Sequence, residues 1–177
     1  MTLAMPRDML KYVRIDPGMR AADFGAGSGA YTDLLMERVG TLGRVYALDA
    51  LPQAIDALYE RARARGARVF TLVTPFEDPL PMADNTIDLS VIANTLHGVD
   101  PARREHFVSE VGRVLAPRGQ VLVVDWAGSF RNMGPAPALL AAPLDMVRIF
   151  RSQGFTTSSM LPAGSHHYAF VATRAPL

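Results

Sequence analysis

The sequence predicts one α/β domain, a mostly parallel sheet with helices on both faces. Two observations carry that expectation. Between about residue 20 and residue 126, apolar runs rich in β-formers alternate with stretches of helical periodicity, the pattern of parallel strands joined by crossover helices. The first of those runs, "MRAADF", ends in the glycine-rich turn "GAGSGAYT", which leads straight into a helical pattern. A chain of 177 residues is also long enough to bury most of its apolar surface in a single core.

Taken in order, residues 1–19 read as a short N-terminal helix. Pro6, Arg7 and Asp8 interrupt the apolar stretch before a signal-peptide core forms, and no run approaches the ~18 apolar residues of a membrane span, so a cytoplasmic protein is the default expectation. After the first strand and a helix near 30–39 come "GRVYALD", a helix near 52–65, "ARVFTLV" and "TIDLSVIAN". A helix near 101–115 follows, opened by Asp100 as N-cap with Pro101 at its first position, and then "GQVLVVDW", the fifth candidate parallel strand. Residues 127–143, rich in Gly, Pro and Ala, read as a mobile lid loop, and "PLDMVRIFRSQGF" as a helix stopped by Gly154. Two β-like runs near 155–161 and 167–174, separated by "PAGSHH", suggest an antiparallel C-terminal hairpin over 155–174.

Composition removes whole classes of chemistry. With 49% apolar residues, 20% charged residues and a net charge of +1, the chain carries no basic stripe for a polyanion. The arginines of "YERARARGAR" fall at helical spacing and read as a solvated face. The absence of cysteine removes disulfides, thiolate zinc sites and thiol nucleophiles. His166 and His167 read as solvent-facing turn residues without a third convergent ligand, so no metal site is predicted.

The glycine turn poses the functional question. Gly25, Gly27 and Ala30 satisfy the dinucleotide fingerprint, and Asp49, ending the second strand, is placed to hold ribose hydroxyls. Asp23 argues against a dinucleotide, because a carboxylate two residues before the turn repels the pyrophosphate that such a turn receives. A cationic ligand is welcomed there instead. S-adenosylmethionine carries an ammonium and a sulfonium near that position, with a ribose for Asp49 and an adenine for an apolar cleft. Taken singly, Asp23 also suits local amide capping and Asp49 a helix cap, and a ligand-free turn selects glycine too.

The blocks "DFGAGSGAYT", "VYALDA", "LPMADNTIDLSVIANTLHGVD" and "EVGRVLAPRGQVLVVDW" resemble, in register over about residues 20–126, the class I S-adenosylmethionine-dependent methyltransferases, and most nearly the small type 11 group. The resemblance implies a Rossmann-like, seven-stranded, mostly parallel sheet ordered 3-2-1-4-5-7-6 with strand 7 antiparallel. It implies that Asp23, Gly25, Gly27 and Gly29 line the methionine end, that Asp49 binds the ribose diol, and that Ala50 and Leu51 flank the adenine. Asn94, ending the fourth strand, joins that set. Where the family commonly has an acidic residue facing the adenine amino group, this chain has Phe76, with Glu77 one position later. Either Glu77 takes that contact from a shifted loop, or packing and backbone alone hold the adenine.

Ligands of open parallel sheets lie at the carboxyl ends of the strands, which puts a methyl acceptor beside "ANTLHG" and "DWAG". His97 is the candidate general base, since an imidazole accepts a proton near neutral pH, with a histidine in a surface turn as its alternative. Asp125 is read as orienting or deprotonating the acceptor, with capping of loop amides as its alternative. Asn94, Leu96, His97 and Trp126 are read as walls, with core packing as the alternative for Trp126, and Phe130, Met133, Leu139 and Leu140 as lid contacts, with packing on the following helix as their alternative. Methyl transfer from a sulfonium is an in-line displacement that needs alignment more than a dedicated catalytic group. Lack of cysteine closes pyrimidine C5 methylation and arsenite-type thiol chemistry, and "ANTL" replaces the tetrapeptide of DNA amino-methylating enzymes. The expected partner is a small-molecule acceptor, with no DNA and no membrane. RNA or protein acceptors, a homodimer and a non-catalytic S-adenosylmethionine-binding subunit stay open.

Overall fold

A computed structural model describes residues 4–66, 68–130 and 133–176. Residues 1–3 of the expected N-terminal helix, and Arg131 and Asn132 of the expected lid loop, lie outside the described residues. Seven strands form one sheet: β1 Arg20–Phe24, β2 Arg44–Asp49, β3 Val69–Val73, β4 Ile87–Ala93, β5 Leu115–Trp126, β6 Phe155–Thr157 and β7 His167–Arg174. Their order is β3-β2-β1-β4-β5-β7-β6, the order that the resemblance implies. β1 to β5 pair in parallel, and β7 runs antiparallel between β5 and β6.

The helices are α1 Pro6–Met9, α2 Ala30–Val39, α3 Pro52–Ala64, α4 Arg104–Val114 and α5 Pro143–Ser152. Asp100 is the expected cap, accepting from the Ala102 amide at 2.9 Å, but a 3-10 turn over Pro101–Arg103 precedes α4 proper. β6 is shorter than the run near 155–161 suggests. Ser158 Oγ takes the Val171 amide at 3.0 Å, which interrupts the ladder, and only Leu161 regains a bridge, to Ala169.

The pleat divides the core in two. Ala22, Phe24, Val121, Val123, Tyr168 and Phe170 pack on the α4–α5 face, while Ala21, Leu89, Val91, Leu122, Val124 and Val171 pack on the α1–α2 face. These strands are apolar on both sides, as buried parallel strands are. No helix among the described residues is long and apolar enough to cross a membrane.

Candidate functional site

The turn between β1 and α2 is left-handed at three points, with φ of +80° at Gly25, +48° at Gly27 and +80° at Gly29. A Cβ does something different at each. At Gly25 it would overlap Thr95, which β4 lays across the turn and whose hydroxyl donates to the carbonyls of Phe24 (2.9 Å) and Ala93 (3.1 Å). At Gly29 it would run into Leu58 and Arg61 of α3, so this glycine lets α3 pack on the start of α2. At Gly27 it would meet nothing closer than the Gly25 carbonyl at 3.9 Å. Only Gly27 therefore leaves open space above its backbone.

Asp49 reaches from the end of β2 into this turn. Its Oδ2 accepts the Gly27 amide and its Oδ1 the Leu51 amide, each at 2.9 Å, so one carboxylate fixes both walls of the cleft and keeps lone pairs for further donors. Asp23, on the α2 side of β1, lies buried beneath the turn and accepts from the Thr32 hydroxyl at 2.6 Å. Burial pushes its carboxyl up to about 6, against the hydrogen bonds from Thr32, and the negative charge of Asp49 adds a smaller push in the same direction.

Above the turn is a cleft of about 610 Å³. Gly25, Gly27, Asp49, Ala50, Leu51, Phe76 and Asn94 line it, all of them expected from the sequence. Met5, Pro6, Ser28, Tyr31 and Thr95 line it as well and were not expected. Proline at the first position of a helix and tyrosine after a glycine turn are weak signals, and Thr95 is found only through the space that Gly25 leaves. S-adenosylmethionine fits this arrangement on three counts. The open space over Gly27 admits a ligand backbone, and the buried carboxylate of Asp23 gains from a nearby cation. The cleft is also long enough to run from that turn to Leu51, which stands 62% exposed at its edge as an apolar surface for a purine.

Several expected placements are corrected. Gly29 is a packing glycine and is absent from the cleft lining, and Asp23, buried beneath the turn, does not line the cleft itself. Glu77 turns away: its carboxylate accepts the Asp100 amide at 3.4 Å and its carbonyl accepts from Arg103 at 2.6 Å. Phe76 instead lines the cleft from the core side, edge-on to Phe24 and tilted against Phe107. Leu96 is fully buried in the α4–α5 core and is no acceptor wall, because successive residues of the 3-10 turn Leu96–Gly98 point in different directions. The arginine run is not a uniform solvated face: Arg61 donates to the Ser28 carbonyl at 2.7 Å, and Arg65 pairs with Asp33 at 3.1 Å.

The same pleat separates Asp125 from Trp126. Asp125 follows Val123 to the α4–α5 face, is fully buried, and places Oδ1 2.8 Å from His97 Nδ1. It also accepts the Trp126 amide at 2.7 Å and the His97 amide at 3.3 Å. Asp125 thus stands behind His97 and not against an acceptor, whereas the His97 side chain keeps 24% of its surface exposed. Trp126 goes to the opposite face, its ring centroid 4.4 Å from that of His167 and 6.4 Å from that of Phe130. His167 is accordingly buried in β7 and not solvent-facing, and burial lowers its affinity for a proton. Among the described residues no three His, Asp or Glu side chains are grouped to hold a metal. Nor does the loop expected over 127–143 run free from end to end: Phe130 bridges Met133, Ser129 donates to the Pro135 carbonyl at 2.6 Å, and residues 137–139 form a 3-10 turn.

Comparison with known proteins shows the family. Residues 21–119, more than half of the chain, match the family model described as a methyltransferase domain. An uncharacterised methyltransferase of Mycobacterium tuberculosis is 34% identical over 119 residues, covering 67% of this chain and 44% of that protein. A demethylmenaquinone methyltransferase of Anoxybacillus flavithermus is 31% identical over 123 residues, covering 70% and 51%. The chain therefore spans about half the length of the curated relatives it matches. Among solved structures, a SAM-dependent methyltransferase from Aquifex aeolicus superposes with a TM-score of 0.86 at 27% identity, covering 97% of this chain and 90% of that one. The glycine turn, the two carboxylates at adjacent strand ends, the sheet order and these matches together establish that the chain belongs to the class I S-adenosylmethionine-dependent methyltransferases, in the type 11 group.

Proposed function

We propose that the chain transfers a methyl group to a small organic acceptor held at the carboxyl ends of β4 and β5, with His97 taking the acceptor's proton. One observation carries this reading. Asn94, Thr95 and Gly98 line the cofactor cleft, and between Thr95 and Gly98 the same turn holds His97 against the buried Asp125. When bound, S-adenosylmethionine supplies an electrophilic methyl group on a sulfonium.

The protein's own residues do the rest. Asp49 holds the ribose diol while keeping the Gly27 and Leu51 amides, Leu51 and Phe76 flank the adenine, and Asp23 compensates cationic charge at the methionine end. Asp125 accepts a hydrogen bond from His97 Nδ1–H, which leaves Nε2 as the basic nitrogen for a hydroxyl, amine or activated carbon acid. The relative named for demethylmenaquinone supports a small organic acceptor over a macromolecule. The deciding experiment incubates the chain with S-adenosyl-[methyl-³H]methionine and separated metabolite, RNA and protein pools. Label should enter the small-molecule fraction. Label confined to RNA or protein overturns this acceptor, and no label above background in any pool favours a cofactor-binding subunit without turnover.

Two further outcomes are expected from the carboxylates. Asp49→Ala removes a charge-assisted ribose contact and releases two amides, and should weaken S-adenosylmethionine binding by about 1.5–3 kcal/mol in calorimetry. Binding as tight as the parent's removes the ribose role.

The Asp23 prediction is one of pH. Its carboxyl titrates near 6 in the folded protein against 3.8 in a model peptide, so the native state holds this proton more tightly than the unfolded chain. Stability from this group is therefore fully present below about pH 4 and is lost as pH rises to about 6, at a cost of about 3 kcal/mol. A bound cation reverses the preference and expels the proton. Affinity for S-adenosylmethionine should fall about tenfold per pH unit below 6, with proton release seen as a dependence of binding heat on buffer ionisation enthalpy. A flat affinity between pH 5 and pH 7 separates Asp23 from the ligand's charge.

A further inference from the structure

Arg104 opens α4, yet only 5% of it is exposed. Its four hydrogen bonds go to main-chain carbonyls on two separate segments. Nε donates to Leu96 (3.0 Å) and Val99 (3.3 Å), on the two sides of His97. Nη1 donates to Leu140 (3.2 Å) and Nη2 to Leu139 (2.8 Å), at the end of the 3-10 turn Pro137–Leu139. Burial disfavours its charge, and Tyr168, Asp125, Asp100 and Asp145 are near enough to act on it, but the guanidinium makes its bonds to main-chain carbonyl oxygens. A methionine of similar length would fill the space without desolvating a cation. What the guanidinium adds is a rigid planar fork with donors on both edges.

We propose that Arg104 is the positioning residue of the acceptor side: it locks the His97 turn and the 137–140 turn into one unit, and through that unit keeps His97 Nδ1 on Asp125. Leu96 and Val99 flank the turn that presents the imidazole, so fixing both carbonyls fixes where the ring leaves the backbone. The same fork fixes the end of the segment that leads into α5. The Nε–H and one hydrogen on each terminal nitrogen of this buried guanidinium are committed to backbone carbonyls of these two segments. The functional meaning of this lock rests on His97 being the base, but the lock itself is measurable without an acceptor.

The test uses the whole chain. In proton–nitrogen spectra of imidazole-labelled protein, His97 should show a slowly exchanging Nδ1–H resonance, identified by its loss in His97→Ala. Arg104→Met should speed its exchange at least tenfold, and Arg104→Lys, which keeps one ammonium for fewer carbonyls, should give an intermediate value. Because the chain has no native cysteine, spin labels at Ala138→Cys and Glu60→Cys report one distance. Its distribution should be narrow in the parent and at least twice as broad in Arg104→Met. Calorimetric binding of S-adenosylmethionine should stay within about twofold in both Arg104 variants, which certifies the folded glycine end. Unchanged exchange together with an unchanged distance distribution overturns the proposal. If Arg104→Met does not fold, the same two readings on Arg104→Lys decide it. A methyl-transfer rate unaffected by His97→Ala would remove the base and leave this lock untouched, so the two failures are distinct.

Discussion

Replacing Gly27 by valine is expected to abolish S-adenosylmethionine binding while leaving the domain folded. Gly27 is the one glycine of the turn whose missing side chain faces open space, and it lines the cleft. A branched side chain there occupies the volume that a ligand needs. The substitution also carries strain, because φ at this position is +48° and a left-handed residue with a Cβ costs roughly 1–2 kcal/mol. A domain stable by about 5–15 kcal/mol absorbs that. Gly27→Ala separates strain from occlusion: it carries similar backbone strain but a much smaller side chain, and should retain measurable binding. Circular dichroism should show the parent's spectrum for both, with a melting temperature lower by several degrees. Valine binding as tightly as glycine, or a valine variant without secondary structure, removes the occlusion argument.

His97→Ala is expected to slow methyl transfer by at least about a hundredfold with cofactor affinity unchanged. The imidazole is not among the residues that line the cleft, and it sits in the turn that Arg104 and Asp125 hold from behind. Asp125→Asn should slow transfer by a smaller factor, because the amide keeps the shape but can present a donor to Nδ1 and favour the wrong tautomer. Single-turnover kinetics with a saturating acceptor read both effects. An unchanged rate in His97→Ala leaves alignment of the two reactants as the whole of the catalysis.

The residues legible in the sequence are those whose role is set by local backbone. Gly25, Gly27 and Asp49 could be read from spacing because a strand-to-helix turn constrains them within a few residues of one another and of the next strand end. The alternation of apolar runs gave five parallel strands for the same reason. Residues whose direction depends on turn or pleat geometry were harder. Leu96 and His97 are neighbours in sequence, but one lies in the core and the other reaches the surface. Asp125 and Trp126 leave opposite faces of β5, a period-2 consequence that a functional grouping of the two overlooked. Thr95 and Arg104 were invisible because their roles consist of long-range approach: Thr95 to β1, and Arg104 to a segment some 35 residues further along the chain. Glu77 was drawn away by Asp100 and Arg103, which lie more than twenty residues further along the chain.

The place of β7 between β5 and β6 has a consequence for how the protein is made. β5 carries the inward-facing run Val121–Val124, and its outer edge pairs only with β7, from Gln120 against Thr173 to Trp126 against His167. During synthesis that edge stays open until residues 167–174 leave the ribosome, some forty residues after β5 itself. An apolar edge with free amides and carbonyls is a template for pairing with other chains. The nascent protein therefore passes through an interval of exposure that ends only when β7 inserts, a long-range step of the kind that slows folding. Substitutions in His167–Arg174 should for that reason lower the yield of folded protein more than they lower the melting temperature of the molecules that do fold, whereas substitutions in the edge strand β3 should affect both alike.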